Sequence, residues 1–451
     1  MPLAVLMGGI GTVSAWILLH LIWLCTNVLF WHRWSFAYAE AHAAPDASSA
    51  LTVLILLASG ALAGLAVRYG HPSLSGHGIP EVMEAVVLRQ GRIPPKVAVL
   101  KPLISALVIG SGGPFGAEGP IIQTGGALGS VLGQWLPVNN AERIALIACG
   151  AAAGMTGIFG TPLAAVLLPV ELITFEFSLS IIAPTALAAA AAAVVRVPLL
   201  GAQPLFLVRS PSVIGPTGVL WCLGFGVVAG LVAVLITRLL YRLEDLYAQI
   251  PWTGPVTRPI IGGACVGLIA LVGPEVLGVG YDLIRAVLNG QLVVAALWQI
   301  FIFKGSGWLL ALSSGTVGGV LAPLFMVSGA LGALIGHALQ QWTGLAPGLV
   351  ALVFMASVFG AAGRAVLTAV IFVVEVTGDY GALVGVLAAT AIATTVADQL
   401  LPYNIMTGKL VRRGLHLSQD SRAPGFELRS QTPEGNTASD AEERDKGAST
   451  P

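Results

Sequence analysis

The chain has 451 residues, 56% hydrophobic and 10% charged, with 22 basic and 22 acidic side chains and a mean hydropathy of +0.87. An average soluble protein carries about 25% charged residues, and a globule of this size could not cover itself with so few polar groups. The composition therefore excludes a soluble enzyme, a disordered scaffold and a nucleic-acid binder, and the 56 glycines follow no triplet period, which excludes collagen.

What remains is an all-α polytopic membrane protein, read by its spans in chain order. The first apolar run, residues 3–31, is too long for a signal peptide core and has neither a basic flank nor a small-residue cleavage site. It is expected to be a retained first helix. Blocks 51–67, 181–195, 219–240 and 382–396 can cross a bilayer. Blocks 97–110, 121–136, 163–173, 320–335 and 366–376 are shorter and are bounded or cut by Gly and Pro. A helix rises about 1.5 Å per residue, so these fall short of roughly 30 Å of hydrocarbon. Ends of such partial helices must be buried in protein or line a polar cavity. When they recur in two halves of a chain, they point to an ion site near the midplane.

Lys409, Arg412 and Arg413 follow the last apolar block and predict a cytoplasmic C-terminus. The membrane unit is expected over 1–414. Residues 415–451 carry 4 basic and 7 acidic side chains and read as a disordered polar tail. Cys25, Cys149, Cys222 and Cys265 lie in apolar stretches without CxxC spacing, and are read as small hydrophobes. No metal or cofactor is expected.

The chain repeats itself. Residues 120–133 match 323–336 at an offset of 203, pairing Pro120 with Pro323, Gly126 with Gly329, Gly129 with Gly332 and Gly133 with Gly336. At an offset of 204, Ala165, Val166 and Glu171 meet Ala369, Val370 and Glu375. Two matches in the same order predict a duplication, with halves at about 50–200 and 215–414.

Three Gly-rich loops stand before helices: 112–120, 318–323 and 75–80, the last opening a helix over 81–88. Glycines free the backbone N–H groups, and a proline sits near each first helical turn. A helix N-terminus with free N–H groups is an anion site. Three of them converging would hold a dehydrated anion weakly enough to release it. One loop carries a carboxylate, Glu118. An ionisable side chain within a membrane is a functional hypothesis by default, set against a structural salt bridge for which Lys101 is the available partner.

These loops resemble the signatures of the CLC chloride channels and transporters, GSGIP, GKEGP and GxFxP. Here they read Gly76-His77-Gly78-Ile79-Pro80, Gly116-Ala117-Glu118-Gly119-Pro120 and Gly319-Val320-Leu321-Ala322-Pro323. The resemblance covers about 50–414 and implies an inverted repeat of tilted, broken helices and a homodimer with one pathway per subunit. It gives Glu118 the role of the gating glutamate, which competes with anions for the pathway and exchanges protons. It places His77, Gly78, Ile79, Gly116, Ala117, Gly119, Val320 and Leu321 around the anion, with Lys101 raising the local positive potential and Glu171 structural.

The departures are equally specific. His77 stands where the family has a hydroxyl donor, either donating from its ring or only filling the space. Leu321 replaces an aromatic, and Ala117 replaces a base. The family's pathway tyrosine, an anion ligand, aligns with Met406, a thioether that cannot donate to an anion, while Tyr403, one helical turn earlier, is the candidate to take that place. The inner proton-transfer glutamate of many family antiporters is Leu172, which cannot titrate.

The function expected from these readings is chloride transport gated by Glu118, channel-like or weakly coupled to protons. The alternatives are a chloride/proton antiporter or a fluoride-handling variant. The expected setting is a prokaryotic inner membrane. An intramembrane enzyme is not expected: the apolar segments hold no HExxH, no paired aspartates and no GxSxG elbow.

Overall fold

The computed structural model describes residues 1–209, 213–412 and 414, and the predicted tail at 415–451 lies outside the described residues, as does Arg413. The first half contains α1 (Pro2–Phe30), α2 (Ala50–Leu65), α3 (Ile79–Leu88), α4 (Pro95–Gly110), α5 (Glu118–Trp135), α6 (Asn140–Phe159), α7 (Pro162–Pro169) and α8 (Leu179–Leu200). The second contains α9 (Pro216–Gln249), α10 (Thr257–Ala270), α11 (Tyr281–Leu288), α12 (Val294–Gln299), α13 (Gly305–Ser313), α14 (Leu321–Thr343), α15 (Pro347–Gly363), α16 (Val366–Thr377), α17 (Leu383–Leu400) and α18 (Gly408–Val411). Among the described residues there is no strand, and eight helices are long and apolar enough to cross a membrane.

Local sequence sets many of the ends. Proline occupies the first turn of α1, α3, α4, α7, α9 and α15, where its missing N–H costs nothing. Asn139 and Glu142 form a reciprocal capping box at the start of α6. Gly160, Gly344 and Gly378 take left-handed φ and end α6, α14 and α16.

The two halves pack alike. α5 lies on α6 as α14 lies on α15, α1 lies against α6 and α8 as α9 lies against α15 and α17, and α2 meets α10 across the molecule. Small residues permit the closest of these approaches: a methyl on Gly125 would strike the Gly150 carbonyl, and one on Gly332 would come within 2.8 Å of the Val350 carbonyl. Backbone-to-backbone approach of this kind is how helices associate where lipid offers no hydrophobic drive.

α14 and α9 run furthest past their apolar blocks. α14 continues past residue 335 to Thr343, reaching span length, and α9 continues past 240 to Gln249. In α14 the added residues His337, Gln340 and Gln341 are exposed, so the helix emerges from the apolar layer without ending. Spans at Asn140–Phe159 and Val294–Ser313 join those expected. All four cysteines are free, Cys149 and Cys222 buried, Cys25 and Cys265 half-buried.

Candidate functional site

The loops before α5 and α14 meet at the centre. Gly116 N–H donates to the Gly319 carbonyl at 3.2 Å, and Gly319 N–H donates to the Gly116 carbonyl at 2.9 Å. These residues are 203 apart in sequence, the offset of the repeat. The third loop joins them: Gly318 N–H donates to the Gly76 carbonyl at 3.4 Å, and a methyl on Gly119 would strike the His77 carbonyl. Gly78, at φ +95°, turns the chain into α3 in a conformation that side chains with a Cβ avoid.

The Glu118 side chain folds back over this junction and is buried. A methyl on Gly116 would overlap its carboxylate, and one on Gly319 would lie 2.9 Å from Oε2. The two glycines are thus a cradle shaped around a carboxylate. Oε1 accepts the Tyr281 hydroxyl at 3.3 Å, and the Ala322 N–H in the first turn of α14 reaches the same carboxylate. Oε2 is buried with no hydrogen-bond partner among the described residues. The carboxylate therefore occupies the seat that a helix N-terminus offers to an anion.

Lys101 is not its partner. The Lys101 ammonium is fully buried and donates to the Leu74 and Gly76 carbonyls, each at 2.9 Å. It pins the loop that carries His77 and leaves its charge within the loop cluster. In the second half Lys304 does the same to the Val276 and Gly278 carbonyls.

His77 and Ile79 are buried, and His77 Nδ1 has no partner. Ala117, Val320 and Leu321 are buried. The Gly78 N–H is capped by Glu81 Oε2 at 3.1 Å, and Glu81 Oε1 pairs with Lys409 at 3.0 Å. Met406 is fully buried, its N–H donating to Asn404 Oδ1 at 2.8 Å, whereas Tyr403 is half-buried and lies edge-on to Tyr241 of α9 at 5.4 Å. Leu172 is buried in the π-helical turn after α7. Glu171 accepts from the Leu367 and Thr368 N–H groups.

Tyr281, Lys304 and the loop at 278–280 were not among the residues singled out in the sequence. Gly278 and Gly280 repeat Gly76 and Gly78 at an offset of 202, with the same positive φ, and Lys304 repeats Lys101 at 203. Val279 and Tyr281 stand where the first loop has His77 and Ile79, and Asp282 where it has Pro80, so no Gly-x-Gly-Ile-Pro pattern finds them. Tyr281 is held by the rings of Phe206 at 5.5 Å and Phe159 at 6.4 Å.

The family model described as voltage gated chloride channel matches residues 59–398. The chain belongs to this CLC family. A ClcB-like protein of Ralstonia nicotianae, described as a chloride channel protein, is 30% identical over 73% of this chain and 78% of its own length. The H(+)/Cl(-) exchange transporter ClcA of Vibrio cholerae is 31% identical over 76% and 75%. A slow cyanobacterial Cl-/H+ antiporter has the same CLC fold, with TM-score 0.78 at 23% identity over 92% of this chain and 97% of its own. A CLC-type fluoride/proton antiporter gives 0.73 at 24% over 90% and 95%. As a CLC protein with eight apolar spans, the chain is integral to a membrane.

Proposed function

We propose that this CLC protein moves chloride across the bilayer, with the Glu118 carboxylate as a tethered anion that closes the pathway and leaves it on protonation. One observation carries the reading: the buried carboxylate lies in a two-glycine cradle at the N-terminus of α14, with one oxygen unpartnered. A carboxylate in an anion seat competes with a free anion for the same N–H groups, and protonation removes its claim. Loss of the gate phenotype in Glu118→Gln tests it.

The cycle we favour couples chloride to protons, because relatives at 29–31% identity are named exchange transporters. Leu172 favours a second, passive channel-like reading, since it offers no proton acceptor on the inner side. Simultaneous chloride and pH recording on purified protein in liposomes separates them. Uphill proton movement driven by a chloride gradient supports exchange, and chloride flux without linked protons supports the passive pathway. The same assay with fluoride replacing chloride tests the fluoride variant.

Three further assignments belong to this proposal. The chain forms a homodimer, its C-terminus is cytoplasmic and the membrane is a prokaryotic inner membrane. The basic residues Lys409 and Arg412 support the orientation. The repeat halves lie at about 50–200 and 215–414, and the packing of α1 against α6 and α8, like that of α9 against α15 and α17, extends the first half back to α1.

A further inference from the structure

We propose that Glu40, His42 and Asp282 form a binding site for a divalent transition-metal ion of the Zn2+ class, joining the α1–α2 connection to the first turn of α11.

The repeat shows why a cation belongs there. In the first half the Gly78 N–H is capped by Glu81, and the Lys409 ammonium neutralises that carboxylate. In the second half Gly280 takes the place of Gly78, and its N–H meets Glu40 Oε2 at 3.4 Å. Glu40 comes from the connection between α1 and α2, so a different part of the chain fills the equivalent seat. No lysine or arginine among the described residues forms an ion pair with Glu40 or Asp282. The groups facing them are the His42 imidazole, with Nε2 at 3.2 Å from Asp282 Oδ2, and the Tyr38 hydroxyl, which donates to Glu40 Oε1 at 2.7 Å. A metal ion would stand where Lys409 stands in the other half.

The donor set fits. Glu40, His42 and Asp282 each present one ligand atom, all within 4.8 Å of one another. One imidazole and two carboxylates, with a fourth position left to water, is a common Zn2+ environment. Two ligand-capable atoms are buried without partners, His42 Nδ1 and Asp282 Oδ1, and the His42 side chain is only 10% exposed. Asp282 also lines a cleft of about 530 Å3, so one of the three ligands is reached from solvent. Tetrahedral bonds of about 2.0–2.1 Å place ligand atoms roughly 3.3 Å apart, so binding would draw the connection onto α11. Residue 281, next to Asp282, is the tyrosine whose hydroxyl holds Glu118.

The test uses the purified full chain, stripped with chelator and titrated with Zn2+ by calorimetry. A Co2+ titration followed by visible absorption reports coordination directly. The expected result is one Zn2+ per chain at micromolar or tighter affinity, a rise in melting temperature with Zn2+, and at least tenfold weaker binding in His42→Ala and Asp282→Asn. His42→Gln preserves bulk if the alanine variant does not fold. Absence of stoichiometric binding, or equal affinity in the wild type and in a folded His42 variant, would overturn the proposal. It does not depend on whether chloride transport is coupled to protons.

Discussion

Glu171 and Glu375 each cap the start of the helical segment whose far end carries the other. Glu171 accepts from the Leu367 and Thr368 N–H groups at 3.1 and 2.7 Å at the start of α16, and Glu375 accepts from Leu163 and Ala164 at 3.0 and 2.8 Å at the start of α7. A carboxylate at a helix N-terminus satisfies free N–H groups and the dipole together. Glu118 applies the same chemistry at α14, but with one oxygen unbonded and a glycine cradle instead of a full set of donors. Each carboxylate of the reciprocal pair uses both oxygens, whereas the third keeps one oxygen unbonded, as the proposed gate requires.

Glu171→Ala and Glu375→Ala should therefore cost stability. Each leaves two N–H groups of a short apolar helix uncapped, and the loss should be about 2 kcal/mol. Unfolding in detergent measures it. The double variant should cost about as much as the two singles together if the caps act independently.

The two cradle glycines should behave differently. The atoms nearest a methyl on Gly116 all belong to the Glu118 carboxylate, a flexible group. Gly116→Ala should push the carboxylate out of its seat and give faster, less gated chloride flux, the same outcome expected of Glu118→Ala. A methyl on Gly319 meets the Gly116 carbonyl itself, so Gly319→Ala should break the junction and abolish transport. Flux assays on the three variants compare these outcomes directly.

Tyr281→Phe removes the hydroxyl that Glu118 accepts at 3.3 Å and leaves the packed ring in place. A neutral donor to a charged acceptor is worth about 1.5–3 kcal/mol. Part of that is recovered by rearrangement, so the expected effect is roughly a three- to thirtyfold shift in the chloride concentration needed to displace the gate. Chloride-dependent flux at fixed pH reads it.

Lys101→Met and Lys304→Met should be similarly and strongly destabilising. Each ammonium bonds two loop carbonyls in a site closed to water, and an unsatisfied buried carbonyl costs about 1–3 kcal/mol. A large difference in unfolding free energy between the two variants would contradict their equivalence in the repeat.

The sequence made the repeat visible where both copies kept glycine and proline. The loops at 116–120 and 319–323 do so because backbone conformation at the junction admits little else. The loop at 278–280 escaped notice because its equivalence to 76–78 lies in φ angles and in a lysine bond to carbonyls, while its side chains diverge from His77 to Val279 and from Ile79 to Tyr281. Tyr281 reaches Glu118 across 163 residues, and no local spacing encodes that contact. The length of α14 was hidden for a different reason. Helix continuity is set by backbone hydrogen bonds, which persist through His337 and Gln340 after hydropathy has fallen.

The gate assignment is tested most directly by Glu118→Gln in proteoliposomes, with chloride and pH recorded together under an imposed chloride gradient. Glutamine keeps the shape of the side chain and removes its charge, as protonation does. The account predicts chloride flux at least as fast as the wild type, no linked proton movement and no dependence on pH between 5 and 8, the range where a protonation-driven gate is expected to respond. Chloride flux in Glu118→Gln with the pH dependence and proton movement of the wild type would contradict it.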